Sequence, residues 1–370
     1  MTKYNSSMKP KRVILVAGAR PNFMKIAPIL EEMKKSPEWF EPIFVHTGQH
    51  YDNTMSNIFI KELGLPMPDF YLGVGSASHA LQTAKVMIEF EKVLEKEKAD
   101  LVIVVGDVNS TLACALVASK LCIPVAHVEA GLRSFDRTMP EEINRILTDQ
   151  ISDYLFITCE EAGENLLKEG ISQEKIHFVG NVMIESLLKI RPRIEESRIL
   201  NKMELKKGKY VLSTLHRPSN VDQRETFEEI LEALHRIGKK IRVVFPAHPR
   251  TQKRMKEFNF QDLNSRLVIT NPIGYFDFLA LEKNAKFVLT DSGGIQEETT
   301  FFQVPCLTIR MNTERPITVT YGTNTLVGTD SNTIVRESLN ILSGNGKKGK
   351  VPRFWDDHVS RRIVEVLEKK

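Results

Sequence analysis

Residues 101–130, LVIVVGDVNSTLACALVASKLCIPVAHVEA, decide the fold. Two apolar, β-branched runs, LVIVV at 101–105 and PVAHV at 124–128, flank a longer stretch of helical period. Short β-rich runs separated by a stretch of helical period signal a βαβ unit and a parallel sheet. The segment is therefore read as a strand, a helix and a second strand parallel to the first.

Working outward, the same rhythm continues on both sides, with VILVA at 13–17 and PIFVHT at 42–47 before it and YLFITC at 154–159 after it. A second series begins after about residue 186: YVLSTLH at 210–216, RVVFPAH at 242–248, RLVITNP at 266–272, FVLTDSGG at 287–294 and PCLTIR at 305–310. Strands alternating with helices in two series imply two Rossmann-like α/β halves. A length of 370 residues fits two cores of ordinary size. The expected domains are 1–185 and 186–370. The stretch from Leu187 to Gly208 carries the connection, and a terminal amphipathic helix over about 356–370 is free to pack on either half.

Bulk composition excludes several classes. A formal charge of +4, without a dense basic tract, argues against nucleic acid as partner. The first apolar run, at 13–17, is too short for a signal-peptide core or a membrane span, so the expectation is a soluble, cytoplasmic protein with no membrane partner. Cys114, Cys122, Cys159 and Cys306 lie far apart with no CxxC, the pattern of reduced thiols rather than a disulfide or zinc framework. No metal and no cofactor are expected.

In open parallel sheets ligands sit at the carboxyl ends of the strands, so the polar residues closing each strand carry the most information. The first strand ends in Gly18-Ala19-Arg20-Pro21, a helix start able to accept an anion beside a fixed positive charge. Asp107 closes a fully apolar strand, where it serves either as a ligand or as an N-cap for a helix beginning near Ser110. His127 and Glu129 alternate and so share one face of their strand, and a charged Glu there is costly unless paired or used. Thr138 and Glu141 match a capping box, and Glu142 with Arg145 matches a helical ion pair. His216 closes YVLSTLH, and Ser292-Gly293-Gly294 opens a helix whose amides are placed for phosphate, with Glu297 or Glu298 one turn on for ribose hydroxyls.

Taken together these residues resemble the non-hydrolysing UDP-N-acetylglucosamine 2-epimerases. Nine motifs stand in family order: GARPNFMK at 18–25, TGQH at 47–50, GDVNST at 106–111, HVEAGLR at 127–133, MPEEINR at 139–145, GN at 180–181, HRPSN at 216–220, DSGGIQEE at 291–298 and TERP at 313–316. The resemblance implies a GT-B-like α/β fold, with two Rossmann-like domains whose parallel sheets face a central cleft, and a homodimer. It implies Asp107, Glu129 and Glu141 as acid–base carboxylates, with His216 near the diphosphate. It assigns Arg20, Lys25, Phe278, Ser292, Gly293, Gly294, Glu298 and Arg315 to binding a UDP-sugar, Phe278 beside uracil and Glu298 on ribose.

The activity so implied is reversible epimerisation at C2 of UDP-N-acetylglucosamine, by anti elimination of UDP to 2-acetamidoglucal and re-addition, supplying activated N-acetylmannosamine for surface glycans. GARPN and TERPI replace the commoner GTRPE and TERPE. Tyr51 and Pro218 stand where many bacterial members carry arginines, which bears on the activation of those members by a second substrate molecule. Rival readings are a 2-epimerase of a UDP-2,3-diacetamido-glucuronic acid, a hydrolysing epimerase releasing N-acetylmannosamine and UDP, a GT-B glycosyltransferase and a non-catalytic UDP-sugar binder.

Overall fold

A computed structural model describes residues 9–48, 64–258, 260 and 267–369. The chain forms two compact units, one of residues 1–188 with 353–370 and the other of residues 189–352.

In the first unit, strands β1 (Lys11–Ala17), β2 (Phe40–His46), β3 (Phe70–Tyr71), β4 (Leu101–Val105), β5 (Val125–Ala130), β6 (Tyr154–Ile157) and β7 (Ile176–Phe178) form one parallel sheet. Its order is β3-β2-β1-β4-β5-β6-β7, with Val13 opposite Leu101 where β1 meets β4. All five residues of β4 are buried, which is why its sequence does not alternate. Helix His79–Glu97 presents Val86, Phe90 and Leu94 to the core that also holds Val102, Val104 and Cys114.

The second unit repeats the plan. Strands β8 (Tyr210–Thr214), β9 (Arg242–Pro246), β10 (Leu267–Thr270), β11 (Phe287–Thr290), β12 (Cys306–Thr308) and β13 (Asn324–Leu326) are parallel in the order β10-β9-β8-β11-β12-β13. Helix Arg224–Gly238 buries Phe227, Leu231 and Leu234 in a core with Phe245, Phe287 and Leu289. In each sheet the order reverses beside the first strand, between β1 and β4 and between β8 and β11. Such a reversal opens the crevice in which doubly wound sheets bind ligands.

The terminal helix Val359–Glu368 packs in the first unit, burying Ile363, Val364 and Leu367. Glu185 accepts from the Ser360 amide at 2.7 Å and its hydroxyl at 2.6 Å, so a carboxylate satisfies the helix N-terminus. Gly180 has φ +96°, and a Cβ there would overlap the Phe354 carbonyl, so the Gly180-Asn181 motif serves the return of the chain. Cys114, Cys159 and Cys306 are buried and Cys122 is exposed; all are free thiols. Among the described residues no helix is long and apolar enough to cross a membrane.

Candidate active site

At the reversal point of the first sheet, helix Arg20–Met33 follows β1 and Gly106-Asp107 follows β4. Ala19 is the helix N-cap and Pro21 lies in its first turn. Asn22 spans the reversal, accepting from the Ala19 amide at 2.8 Å and donating to the Val105 carbonyl at 2.9 Å. The side chain of Arg20 lies outside the described residues, as do Gln49 and His50 of TGQH and Tyr51. Thr47 is buried and shares a 2.9 Å hydrogen bond with Ser110.

Asp107 is not the N-cap of the following helix. That helix, Asn109–Lys120, has Val108 as N-cap with no side-chain cap, and the Asp107 carboxylate is ion-paired with Arg145 while 28% exposed. Arg145 also binds Glu142, at 2.6 Å. Glu142 is buried and accepts from the amides of Ser134 and Phe135 at 3.0 and 2.8 Å. Burial opposes its ionisation, yet those amides and the Arg145 guanidinium hold its carboxyl below the usual range. The pair is thus more than a helical neighbour: it fixes the loop before the helix and orients the cation on Asp107.

The capping box at Thr138 is likewise absent. The helix runs Pro140–Gln150 with Met139 as N-cap, and Thr138 instead donates to Asp136 at 2.6 Å. Pro140 removes an amide that a cap would otherwise satisfy. Glu141, relieved of a capping role, is exposed in the first turn.

Glu129 is buried and ion-paired with the equally buried Lys25. It has φ +75°, and the β5–β6 register shifts between Val128 and Ala130, so strict alternation stops short of it. A non-glycine residue in the left-handed region is a strained conformation that surrounding structure must hold. The pair lies against the turn carrying Asp107: a Cβ added to Gly106 would stand 3.0 Å from Lys25 Nζ. His127 is fully buried and follows a separate route, its Nε2 donating to the Gly106 carbonyl at 2.8 Å and its Nδ1 facing Asp149 at 2.7 Å. Arg133 extends that chain, 2.7 Å from Asp149 and 2.6 Å from Glu169.

In the second unit the reversal point joins two predicted segments. His216 Nδ1 lies 2.9 Å from Asp291 Oδ1, and the amides of His216 and Arg217 donate to the same carboxylate at 3.0 and 2.9 Å. Asp291 is fully buried. Burial would raise its carboxyl, but the His216 ring and the two amides hold it below the usual range. The carboxylate therefore orients an imidazole whose side chain is 48% exposed.

Ser292 is N-cap of helix Gly293–Phe302, whose first amides are free of side-chain caps. The two glycines differ. A Cβ on Gly293 would stand 2.5 Å from Glu314 Oε1 and 2.7 Å from Arg315 Nη1, whereas one on Gly294 would meet nothing within 4 Å. Arg315 is buried, 2.7 Å from Glu314 and 3.0 Å from Glu297, so it braces this turn. Burial opposes the charge on Glu314, but Arg315, Arg310 and Arg217 hold its carboxyl far below the ordinary range. Glu298 is buried and accepts from Tyr275 at 2.8 Å. Phe278 is half-buried on helix Tyr275–Asn284, and Pro218 is exposed at the start of the short helix Pro218–Val221.

Sequence reasoning left out His248, which closes β9 as His216 closes β8. Burial lowers its pKa, and the neighbouring His216 and Arg250 add to the effect. Its position at a strand end was the available signal. It also left Asp291 without a role, although that residue organises the whole turn.

A family model described as UDP-N-acetylglucosamine 2-epimerase matches residues 31–368. A UDP-N-acetylglucosamine 2-epimerase of Methanocaldococcus jannaschii is 47% identical over 365 residues, covering 96% of this chain and 98% of the relative. A UDP-2,3-diacetamido-2,3-dideoxy-D-glucuronate 2-epimerase of Pseudomonas aeruginosa is 41% identical over 361 residues, covering 97% of this chain and 99% of the relative. The crystal structure of a Methanocaldococcus jannaschii UDP-GlcNAc 2-epimerase in complex with UDP-GlcNAc and UDP superposes with a TM-score of 0.88 at 44% identity, covering 97% of this chain and all of that one.

Proposed function

The chain belongs to the UDP-N-acetylglucosamine 2-epimerase family, and from that premise we propose that it interconverts UDP-N-acetylglucosamine and UDP-N-acetylmannosamine without hydrolysing either. The observation that carries this reading is the arrangement around Gly106, where the buried Lys25–Glu129 pair packs beside the turn bearing Asp107. Two acids beside one turn, each with its own cation, supply proton acceptor and donor at one place.

The C2 proton of a 2-acetamido sugar is not acidic, because no carbonyl is attached to that carbon. Elimination avoids the difficulty: a carboxylate removes the C2 proton, the C1–O bond to UDP breaks, and a C1–C2 double bond forms. Return of a proton to the opposite face of C2 and of the UDP oxygen to C1 completes the epimerisation. Atoms and electrons balance with no redox partner. Asp107, Glu129 and Glu141 are the proposed acid–base groups. His216, Arg20, Lys25 and Arg315 favour the departing diphosphate, and the Ser292-Gly293-Gly294 helix start receives it. Phe278 lies beside uracil and Glu298 on ribose in this reading, and the protein acts as a cytoplasmic homodimer feeding surface glycan synthesis.

A second reading is favoured by one observation, the 41% identity to an epimerase of a diacetamido-glucuronate nucleotide. Proton NMR with UDP-N-acetylglucosamine in D₂O separates the cases. UDP-N-acetylmannosamine with deuterium at C2 is the expected product. Free N-acetylmannosamine with UDP would replace the proposal by the hydrolysing reaction, and absence of exchange with turnover of the diacetamido-glucuronate nucleotide would replace the substrate.

A further inference from the structure

Gly106 has φ +68°, and a glycine there leaves the peptide that joins it to Asp107 able to turn either way. The Gly106 carbonyl can only accept, so Nε2 of His127, 2.8 Å away, carries the hydrogen and selects one orientation. On the other side of the ring, Nδ1 lies 2.7 Å from Asp149 Oδ1. The second oxygen of Asp149 accepts from the Gly131 amide at 3.1 Å and meets Arg133 at 2.7 Å. His127 and Asp149 are wholly buried. With both ring nitrogens engaged and no exposed surface, His127 acts only through its neighbours.

Those neighbours frame two of the proposed acids. His127 and Gly131 stand two residues before and two after Glu129, and Asp149 bridges them. Glu129 has φ +75°, a conformation that persists only where the surroundings over-determine it. Asp149 belongs to helix Pro140–Gln150, one turn beyond Arg145, whose guanidinium pairs with the Asp107 carboxylate. Asn144 of the same helix donates to the Asp107 carbonyl at 2.9 Å. One helix thus holds Asp107 by its carboxylate, by its carbonyl and, through Asp149 and His127, by the peptide before it.

We propose that His127 and Asp149 are positioning residues that fix the spacing of Asp107 and Glu129, acting on one through the Gly106 carbonyl and on the other through the Gly131 amide. This rests on the acid–base assignment made above. In that reading a proton leaves one face of C2 and another returns to the opposite face, so inversion needs two acids in register. Removal and return of the proton on one face needs a single acid. Loss of register therefore slows inversion more than it slows exchange of the C2 proton with solvent.

The test uses the full-length protein with UDP-N-acetylglucosamine in D₂O and reads, from initial rates by proton NMR, the ratio of UDP-N-acetylmannosamine formed to deuterium gained at C2 of the recovered substrate. That ratio does not depend on how much of a variant is folded, so a merely structural role leaves it at the parent's value. His127→Gln keeps an amide N–H at about the reach of Nε2 and should keep the ratio. His127→Asn is too short to reach Gly106, so epimer formation should fall by about 10²-fold, with exchange falling less and the ratio dropping. Asp149→Asn keeps only one of the two acceptor oxygens and should lower the ratio in the same direction, which decides the matter where His127→Asn does not fold. The parent's ratio in Asp149→Asn or His127→Asn, or a drop in His127→Gln as large as in His127→Asn, would overturn the proposal. Asp107→Asn and Glu129→Gln test the premise separately: each should lose epimer formation, and turnover at the parent's rate in either would remove the acid–base assignment whatever the ratio in the His127 variants.

Discussion

The two sheets share a topology and a reversal of strand order, yet their carboxyl ends carry charge in opposite ways. In the first unit the acids Asp107 and Glu129 are each held by one cation from another element, and Asp107 and Glu141 keep contact with solvent. In the second, Asp291 and Glu314 are fully enclosed by imidazole, amides and guanidinium groups, and what faces outward is His216 and the space above Gly294. A carboxylate at a strand end is thus not one kind of residue. Where donors surround it, it holds a turn; the acid–base role proposed above falls on acids of the other kind, of which Asp107 keeps contact with solvent.

The largest effect should come from testing that division directly. Asp107→Asn should lower kcat by about 10²–10⁴ and leave the affinity for UDP, read by calorimetry, near the parent's. Asp291→Asn should lose turnover and UDP affinity together, because it releases His216 and Arg217 from their anchor. Equal losses of affinity in both variants would erase the distinction between reacting and holding acids.

Next in size is the buried pair. Glu129→Gln leaves Lys25 buried without its counter-ion, which should destabilise the fold by about 3–5 kcal/mol in urea unfolding. The double variant Lys25→Met with Glu129→Gln should recover most of that loss. A single variant as stable as the parent would show that Lys25 finds another partner, and the first unit's acids would then resemble the second's.

Much of this was legible beforehand, and the exceptions share a cause. The alternation of apolar runs with helical stretches predicted two α/β halves with parallel sheets, and strand-end position drew attention to Asp107, His216 and the helix start at Ser292, which is an N-cap. Local spacing misled at Thr138, and of the two readings left open at Asp107 the cap is excluded, because a capping pattern depends on where the helix actually begins, and Pro140 and Val108 set those starts. The Lys25–Glu129 and Arg145–Asp107 pairs join residues 104 and 38 positions apart, and the His216–Asp291 pair joins residues 75 apart. No local pattern carries such pairings; only the strand order does. Glu129 adds a further limit, since its positive φ breaks the alternation from which its direction would be read.

A finer effect separates the two glycines of the second unit. Gly293→Ala places a methyl within contact of Glu314 and Arg315 and should cost about 1–3 kcal/mol by overpacking. Gly294→Ala meets nothing in the protein, so its stability should stay within about 0.5 kcal/mol of the parent. If Gly294 is where backbone meets phosphate, Gly294→Ala should weaken UDP binding with no change in melting temperature, and a variant with the parent's affinity would remove the phosphate from that turn.

The remaining expected effect is a slope against pH rather than a loss at one pH. Asp291 and Glu314 in the second unit and Glu142 in the first have carboxyls below the usual range in the folded state. A group of that kind contributes stability that is fully present above its unfolded pKa and lost as pH falls through its folded one. Urea unfolding should therefore show stability declining as pH drops below about 4.3, the unperturbed glutamate value. Glu314→Gln removes one titrating group and also leaves guanidinium groups without a partner, so its absolute stability falls at every pH. Its dependence on pH should nonetheless be flatter than the parent's, by about 1.4 kcal/mol for each unit by which Glu314 is depressed. An unchanged slope would mean that Glu314 titrates alike folded and unfolded, and the second unit's acids would no longer differ from the first's in how firmly they are held.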